Sequence, residues 1–171
     1  MRGIGWLART TAAGALLMTS VAQAQATKEQ ATIAAALRRG THVALAVGLE
    51  AASATGKPIS ARYEFEDGKL QLSVFVEKDG AFSEVFVDHT TGKVAKIDKI
   101  TGGEDLKDAK AQSRASGKAK ATLASALAKA LAANAGYSAV DVTAVLEGGR
   151  PVAEITLMRE GQFKAVAEPL G

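Results

Sequence analysis

Residues 85–98, VFVDHTTGKVAKID, set Asp88, His89, Thr90 and Thr91 side by side in a chain with only two histidines. A carboxylate beside an imidazole is a pairing used by general acid–base catalysis and by metal ligation. The spacing argues against both. Neighbours on an extended strand point to opposite faces, so Asp88 and His89 do not converge on one ligand. No third ligand stands near at a metal-binding spacing, and His42 falls at an expected helix start. A turn accounts for the stretch better. Val87 ends a strand, Asp88 accepts from backbone N–H groups ahead of it, and Thr91 does so more weakly. Gly92 supplies a positive φ, and Val94 and Ile97 resume an extended strand. His89 alone is left without a role. Asp88, Thr91 and Gly92 are therefore expected to be structural, with no catalytic residue, no metal and no cofactor.

Other chemistry is sparse. The chain has no Cys, which removes thiolate ligands and thiol nucleophiles. G-x-S-x-G, H-E-x-x-H, P-loop and dinucleotide fingerprints are absent. ATGK at 54–57 closes a helix instead of opening one, so it is no phosphate cradle. Ser113 and Ser116 lie in the Lys-rich AKAQSRASGKAK, which reads as a solvated helical face. Glu64, Glu66 and Asp67 gather at a hairpin tip, where Lys69 opposite Glu66 makes an ordinary cross-strand pair.

The first 26 residues read as an export signal. Arg2 and Arg9 form a positive region, AAGALLM a short apolar stretch, and AQA occurs twice as a small-x-small cleavage pattern. The apolar run falls far short of the roughly 20 residues a spanning helix needs. Cleavage would leave a chain starting near Gln25 or Thr27, with no membrane span, in the periplasm or outside the cell. It would also lower the formal charge from +3 to +1 by removing Arg2 and Arg9, so nucleic acid is not an expected partner. With 47% apolar and 23% charged residues the remainder suits a globular protein, although alanine supplies much of the apolar share.

Hydropathy then alternates between two periods. TKEQ at 27–30 has capping-box spacing, with Thr27 as N-cap and Gln30 three residues on, before a helix to about Arg39. A second helical stretch carries Val43, Val47 and Leu45, Leu49 at i, i+4, with Gly56 as its C′ residue and Pro58 beyond. From Ile59 the period becomes 2. Ile59, Ala61, Tyr63 and Phe65 alternate with Ser60, Arg62, Glu64 and Glu66, and so are expected on one face. The Asp-Gly pairs at 67–68 and 79–80 are two-residue hairpin signals. The first pairs Tyr63 with Leu72 and Ala61 with Val74. The second pairs Val74 with Val85 and Leu72 with Val87. Both place Leu72 and Val74 on one buried face, and a slip of one residue would invert a strand. Residues 105–136 are helical again, with a Leu123, Leu127, Leu131 stripe ending at Gly136. Strands are expected at 138–147, 150–159 and 162–168. Gly80, Phe82 and Val85 recur as Gly161, Phe163 and Val166 at a constant interval. The expectation is an α+β protein of two tandem units, 27–100 and 101–171, each a helix plus a three-stranded antiparallel meander, with helices covering one sheet face.

The order helix, two tight hairpins, then VFVDHTTGKV resembles the PepSY domain, whose third strand commonly ends in V-D-x-x-T-G-x-V. Val87, Asp88, Thr91, Gly92 and Val94 match that pattern. The resemblance covers residues 41–98. The second unit shares only the helix and hairpins, and Glu168 and Pro169 stand where the motif would be. The resemblance implies a module like those in propeptides of thermolysin-like metallopeptidases, or in cell-envelope proteins, some tied to iron or membrane redox systems. It brings no catalytic residues with it.

One feature has no place in this scheme. The hairpin registers turn Phe75, Phe82 and Phe86 away from the helix-covered face, with Phe75 diagonal to the other two. Aromatic residues on an open sheet face are usually covered, either by the second unit or by a partner. The expected function is that of an exported, non-enzymatic binding module. It would modulate or inhibit an envelope peptidase or another envelope protein through these residues or a sheet edge. The alternative is a small-molecule or metal-ion binding module linked to iron handling.

Overall fold

In the computed structural model, residues 20–40 and 42–171 are described, with side chains from Lys28 onward. The expected leader residues 1–19 lie outside them. Four helices and seven strands follow in order. They are α1 (Ser20–Arg39), α2 (Leu45–Ser53), β1 (Lys57–Glu66), β2 (Lys69–Lys78), β3 (Ala81–Val87) and β4 (Val94–Ile100). The second half adds α3 (Gly103–Lys118), α4 (Leu123–Ala133), β5 (Ser138–Glu147), β6 (Arg150–Arg159) and β7 (Gln162–Pro169).

Turn chemistry fixes the strands. Asp67–Gly68 and Asp79–Gly80 both hold positive φ at their two residues, as do Gly148–Gly149 and Glu160–Gly161. Two consecutive left-handed residues make the tight turn whose twist suits a hairpin. The registers are those read from the sequence: Tyr63 faces Leu72, Ala61 faces Val74, Val74 faces Val85 and Leu72 faces Val87. The second half repeats them at an interval of 81 residues, with Val142 facing Ile155 and Ala144 facing Ala153. An irregularity recurs at matching points too, between Pro58 and Ser60 and between Ala139 and Asp141.

The two meanders form a single antiparallel sheet of order β4-β3-β2-β1-β5-β6-β7. The joining ladder is short: Ser60 with Thr143, Ala61 with Val142, and Arg62 with Asp141. Ala61 and Val142 are counterparts at the 81-residue interval, so the sheet has an approximate two-fold centre at that pair.

One face carries the main core. Leu45, Leu49 and Ala52 of α2 pack with Leu72, Val74 and Val85, while Leu123, Leu127 and Ala130 of α4 pack with Val142, Ile155 and Leu157. Ile33, Ala34 and Leu37 of α1 join the same cluster. Burying a leucine side chain is worth about 1.5–3 kcal/mol, so these residues carry much of the stability.

The structure corrects several local expectations. The helix expected over 105–136 is two helices. Between them Lys120 and Ala121 donate N–H bonds to the Leu170 carbonyl at 2.6 and 3.0 Å. Thr122 then caps α4, its Oγ1 accepting from the Ser125 N–H at 3.1 Å. Thr27 lies within α1, which is helical from Ser20, so it is not an N-cap in this chain. Gly56 is not a left-handed C′ residue. Its need is space, since a Cβ there would meet the Glu77 carbonyl oxygen at 2.8 Å. The irregularity beside Pro58 turns Ile59 to the face opposite Ala61, where it packs with Phe75 and Ala109. The extended stretch expected to resume at Val94 is a full strand, β4, which pairs with β3 and adds a fourth strand to the first half's three-stranded meander. Finally, α3 packs on the face that the sequence left open. It buries only the small or polar Ala109, Gln112, Ala115 and Ser116, so it presents no bulky stripe to the sheet.

Candidate functional site

The Asp88–Gly92 segment is a closed turn. The Asp88 carboxylate accepts from the Thr90 and Thr91 N–H groups at 2.9 and 2.7 Å. These bonds, Thr91 first, hold its pKa below the ordinary carboxylate value. Gly92 adopts φ 73° and donates its N–H to the Asp88 carbonyl at 2.8 Å. The turn also seats α2. Val43, just ahead of that helix, donates its N–H to the His89 carbonyl at 2.7 Å. A Cβ on Gly92 would come within 2.7 Å of Val47 Cγ1. The Tyr63 hydroxyl donates to the Val43 carbonyl at 2.5 Å, and burial pushes its pKa up to about 12. His42 meets the same ring edge-on, with centroids 5.9 Å apart. His89 Nδ1 is buried with no hydrogen-bond partner. Among the described residues no group of three or more His, Cys, Asp or Glu is placed to hold a metal ion.

The three phenylalanines have separate surroundings. Phe75 is 2% exposed, packed with Ile59 of its own sheet and Ala109 of α3. It therefore offers no surface to a partner, because α3 covers the sheet face that the sequence reading left open. Phe82 is half-buried against the same cluster together with Ile100. Phe86 is half-buried, with Lys96 Nζ 5.6 Å from its ring centre.

A buried polar network shares that face. Arg62, whose side chain is 21% exposed, donates from Nε to Glu64 Oε2 at 2.8 Å, and its guanidinium lies 5.2 Å from the Phe75 ring centre. Burial opposes the Arg62 charge, but Glu64, Asp141 and Glu84 outweigh it and raise the pKa. Burial pushes Glu84 up to about 7. The Ser73 hydroxyl bond pulls the other way, Glu64 adds to the rise, and Arg62 opposes it. Burial likewise raises Asp108 of α3 and Glu29 of α1, against Arg62. The hairpin register already set Arg62, Ser73 and Glu84 on one face. The missing signal was a lid for that face.

The sheet edge is the other feature that sequence reasoning undervalued. β4 is an end strand, paired on one side with β3. Val94 and Ile97 are 40% and 49% exposed, and Val47, on α2 beside Gly92, is 37% exposed. These three, with Leu146, are the exposed large aliphatics among the described residues. Lys93, Lys96 and Lys99 punctuate the same strand and its approach, and Lys96 pairs with Asp98 at 2.5 Å.

Comparison with known proteins gives one family. Residues 25–98 match PepSY, the peptidase propeptide and YPEB domain. This span runs from α1 through the turn and most of β4. No curated protein sequence matches the chain. Among solved structures, a "putative lipoprotein" from Clostridium difficile 630 aligns over 77% of this chain and 98% of its own at 15% identity, with a TM-score of 0.34. Among the described residues no helix is long and apolar enough to cross a membrane.

Proposed function

We propose that this chain is an exported binding protein that acts on a peptidase or another envelope protein by holding an extended segment of it along β4. The observation that carries the reading is the open edge of β4 with Val94 and Ile97 exposed beside it. An edge strand offers a row of free backbone donors and acceptors, and alternate side chains give such an added strand its specificity. Lys93, Lys96 and Lys99 discourage pairing of two copies of this basic edge and favour an acidic partner segment. The PepSY match over 25–98, with its peptidase-propeptide description, supports a peptidase as the first partner to try. The 81-residue recurrence of register supports two tandem units, the second without the turn motif. No residue is assigned a catalytic role. Phe82 and Phe86, only half-buried, flank the edge on the opposite face and extend the proposed surface.

The test is direct. The purified chain is titrated into a thermolysin-type metallopeptidase from the same envelope, and activity and complex formation are followed. Val94→Asp with Ile97→Asp should keep the melting temperature and lose the complex. A complex that survives both substitutions would place the contact elsewhere.

A further inference from the structure

A cavity of about 430 Å³ opens between α2 and α4. Sites for small ligands run from roughly 300 to 1,000 Å³ and are mostly apolar, with a few placed polar groups. Here Leu49, Pro58, Leu123 and Leu170 supply apolar walls. Ala46, Ala121 and Ala124 stand where larger side chains would fill the space. The cavity is thus a product of the alanine-rich sequence at the place where the two halves meet. Ala46 and Ala124 are exposed, so it reaches solvent between the helices, whereas Leu49, Leu123 and Leu170 are buried.

The polar groups on its walls are unequal. Lys57 Nζ donates to the Ser116 carbonyl at 2.8 Å, which fixes the ammonium and leaves two of its three donors. Thr122, Leu123 and Ala124 bring the first turn of α4 to the cavity. Thr122 Oγ1 takes the Ser125 N–H of that turn, and this end of the helix is electropositive. Glu50 of α2 also lines the cavity and opposes any anion there; a single carboxylate has Lys57 to offset it, whereas a second has no further cation on these walls.

We propose that this cleft binds a small monocarboxylate with an apolar body. Its carboxylate meets Lys57 and its hydrocarbon lies among Leu49, Leu123 and Leu170. The proposal is independent of the β4 reading, since it shares no residue with that edge.

Octanoate and octan-1-ol serve as matched probes, differing only in the head group. Calorimetric titration should show saturable one-to-one octanoate binding. Ala124→Trp, at an exposed position, should abolish binding of both probes. Lys57→Gln should weaken octanoate at least tenfold and leave octanol unchanged. Methyl resonances of Leu49, Leu123 and Leu170 in the unsubstituted chain should shift with octanoate, which gives a readout that needs no variant to fold. No saturable binding, or shifts confined to other residues, would overturn the site. Equal loss of both probes in Lys57→Gln would overturn the carboxylate assignment.

Discussion

The main-chain N–H of Val43 donates to the carbonyl of His89 at 2.7 Å, tying the approach of α2 to the turn that follows β3. The Val43 carbonyl in turn accepts from Tyr63 of β1. The V-D-x-x-T-G-x-V pattern is therefore a seat for a helix in this chain. Its acid and glycine close the turn, the Asp88 carboxylate accepting from Thr90 and Thr91 and Gly92 supplying the positive φ.

Gly92→Val should destabilise the fold by about 1–3 kcal/mol, because a branched residue is strained at φ 73° and its Cβ would crowd Val47. His89→Ala should cost little, since the residue's bond to Val43 uses the main-chain carbonyl. Chemical denaturation compares the two. A larger loss for His89→Ala than for Gly92→Val would contradict the assignment.

Tyr63→Phe removes the hydroxyl and leaves the Val43 carbonyl without that donor. The expected loss is about 1–2 kcal/mol, seen as a lower denaturation midpoint at unchanged slope.

Phe75→Ala should cost about 3–5 kcal/mol, because the ring is enclosed by Ile59 and Ala109. The equivalent change at Phe86, which is half-buried beneath Lys96, should cost clearly less. Equal losses would mean that α3 does not cover the sheet as described.

Glu84 makes stability depend on pH. Its folded pKa, about 7, lies above the ordinary glutamate value of 4.5, so the folded state holds the proton more tightly. That contribution is complete below about pH 4.5 and is lost as pH rises through about 7. Arg62, Glu64, Asp105 and the Ser73 hydroxyl all act on this carboxyl. Glu84→Gln should flatten the stability profile between these limits and stabilise the fold at pH 8, on the order of 1–2 kcal/mol after allowance for partial exposure. Melting curves at pH 5 and pH 8 measure it, and an unchanged difference between the two pH values would show that another group titrates.

The strands were legible because two independent signals agreed. Asp67–Gly68 and Asp79–Gly80 fixed the turns, and the alternation around Tyr63, Leu72 and Val74 fixed the faces. The second meander followed from its constant interval to the first. The junction between the halves was not legible. Ala61 and Val142 are paired by no turn, and a three-pair ladder leaves no periodic trace. Nor was the cover over Phe75, since α3 meets the sheet with Ala109 and Gln112, residues that hydropathy does not flag as a core stripe. Ile59 was placed on the wrong face because an irregularity beside a proline breaks the alternation without changing the composition. The edge character of β4 needed the strand order, which no local pattern contains.

The central claim is that β4 holds the partner, and site-specific photocrosslinking in intact cells tests it most directly. A benzophenone amino acid replaces Ile97 on β4 or, for comparison, the exposed Lys129 on α4. The account predicts a discrete crosslinked envelope protein from position 97, absent from position 129, and lost when Val94→Asp is added. A crosslink of equal yield from position 129, or none from position 97 while the same partner still binds, would contradict it.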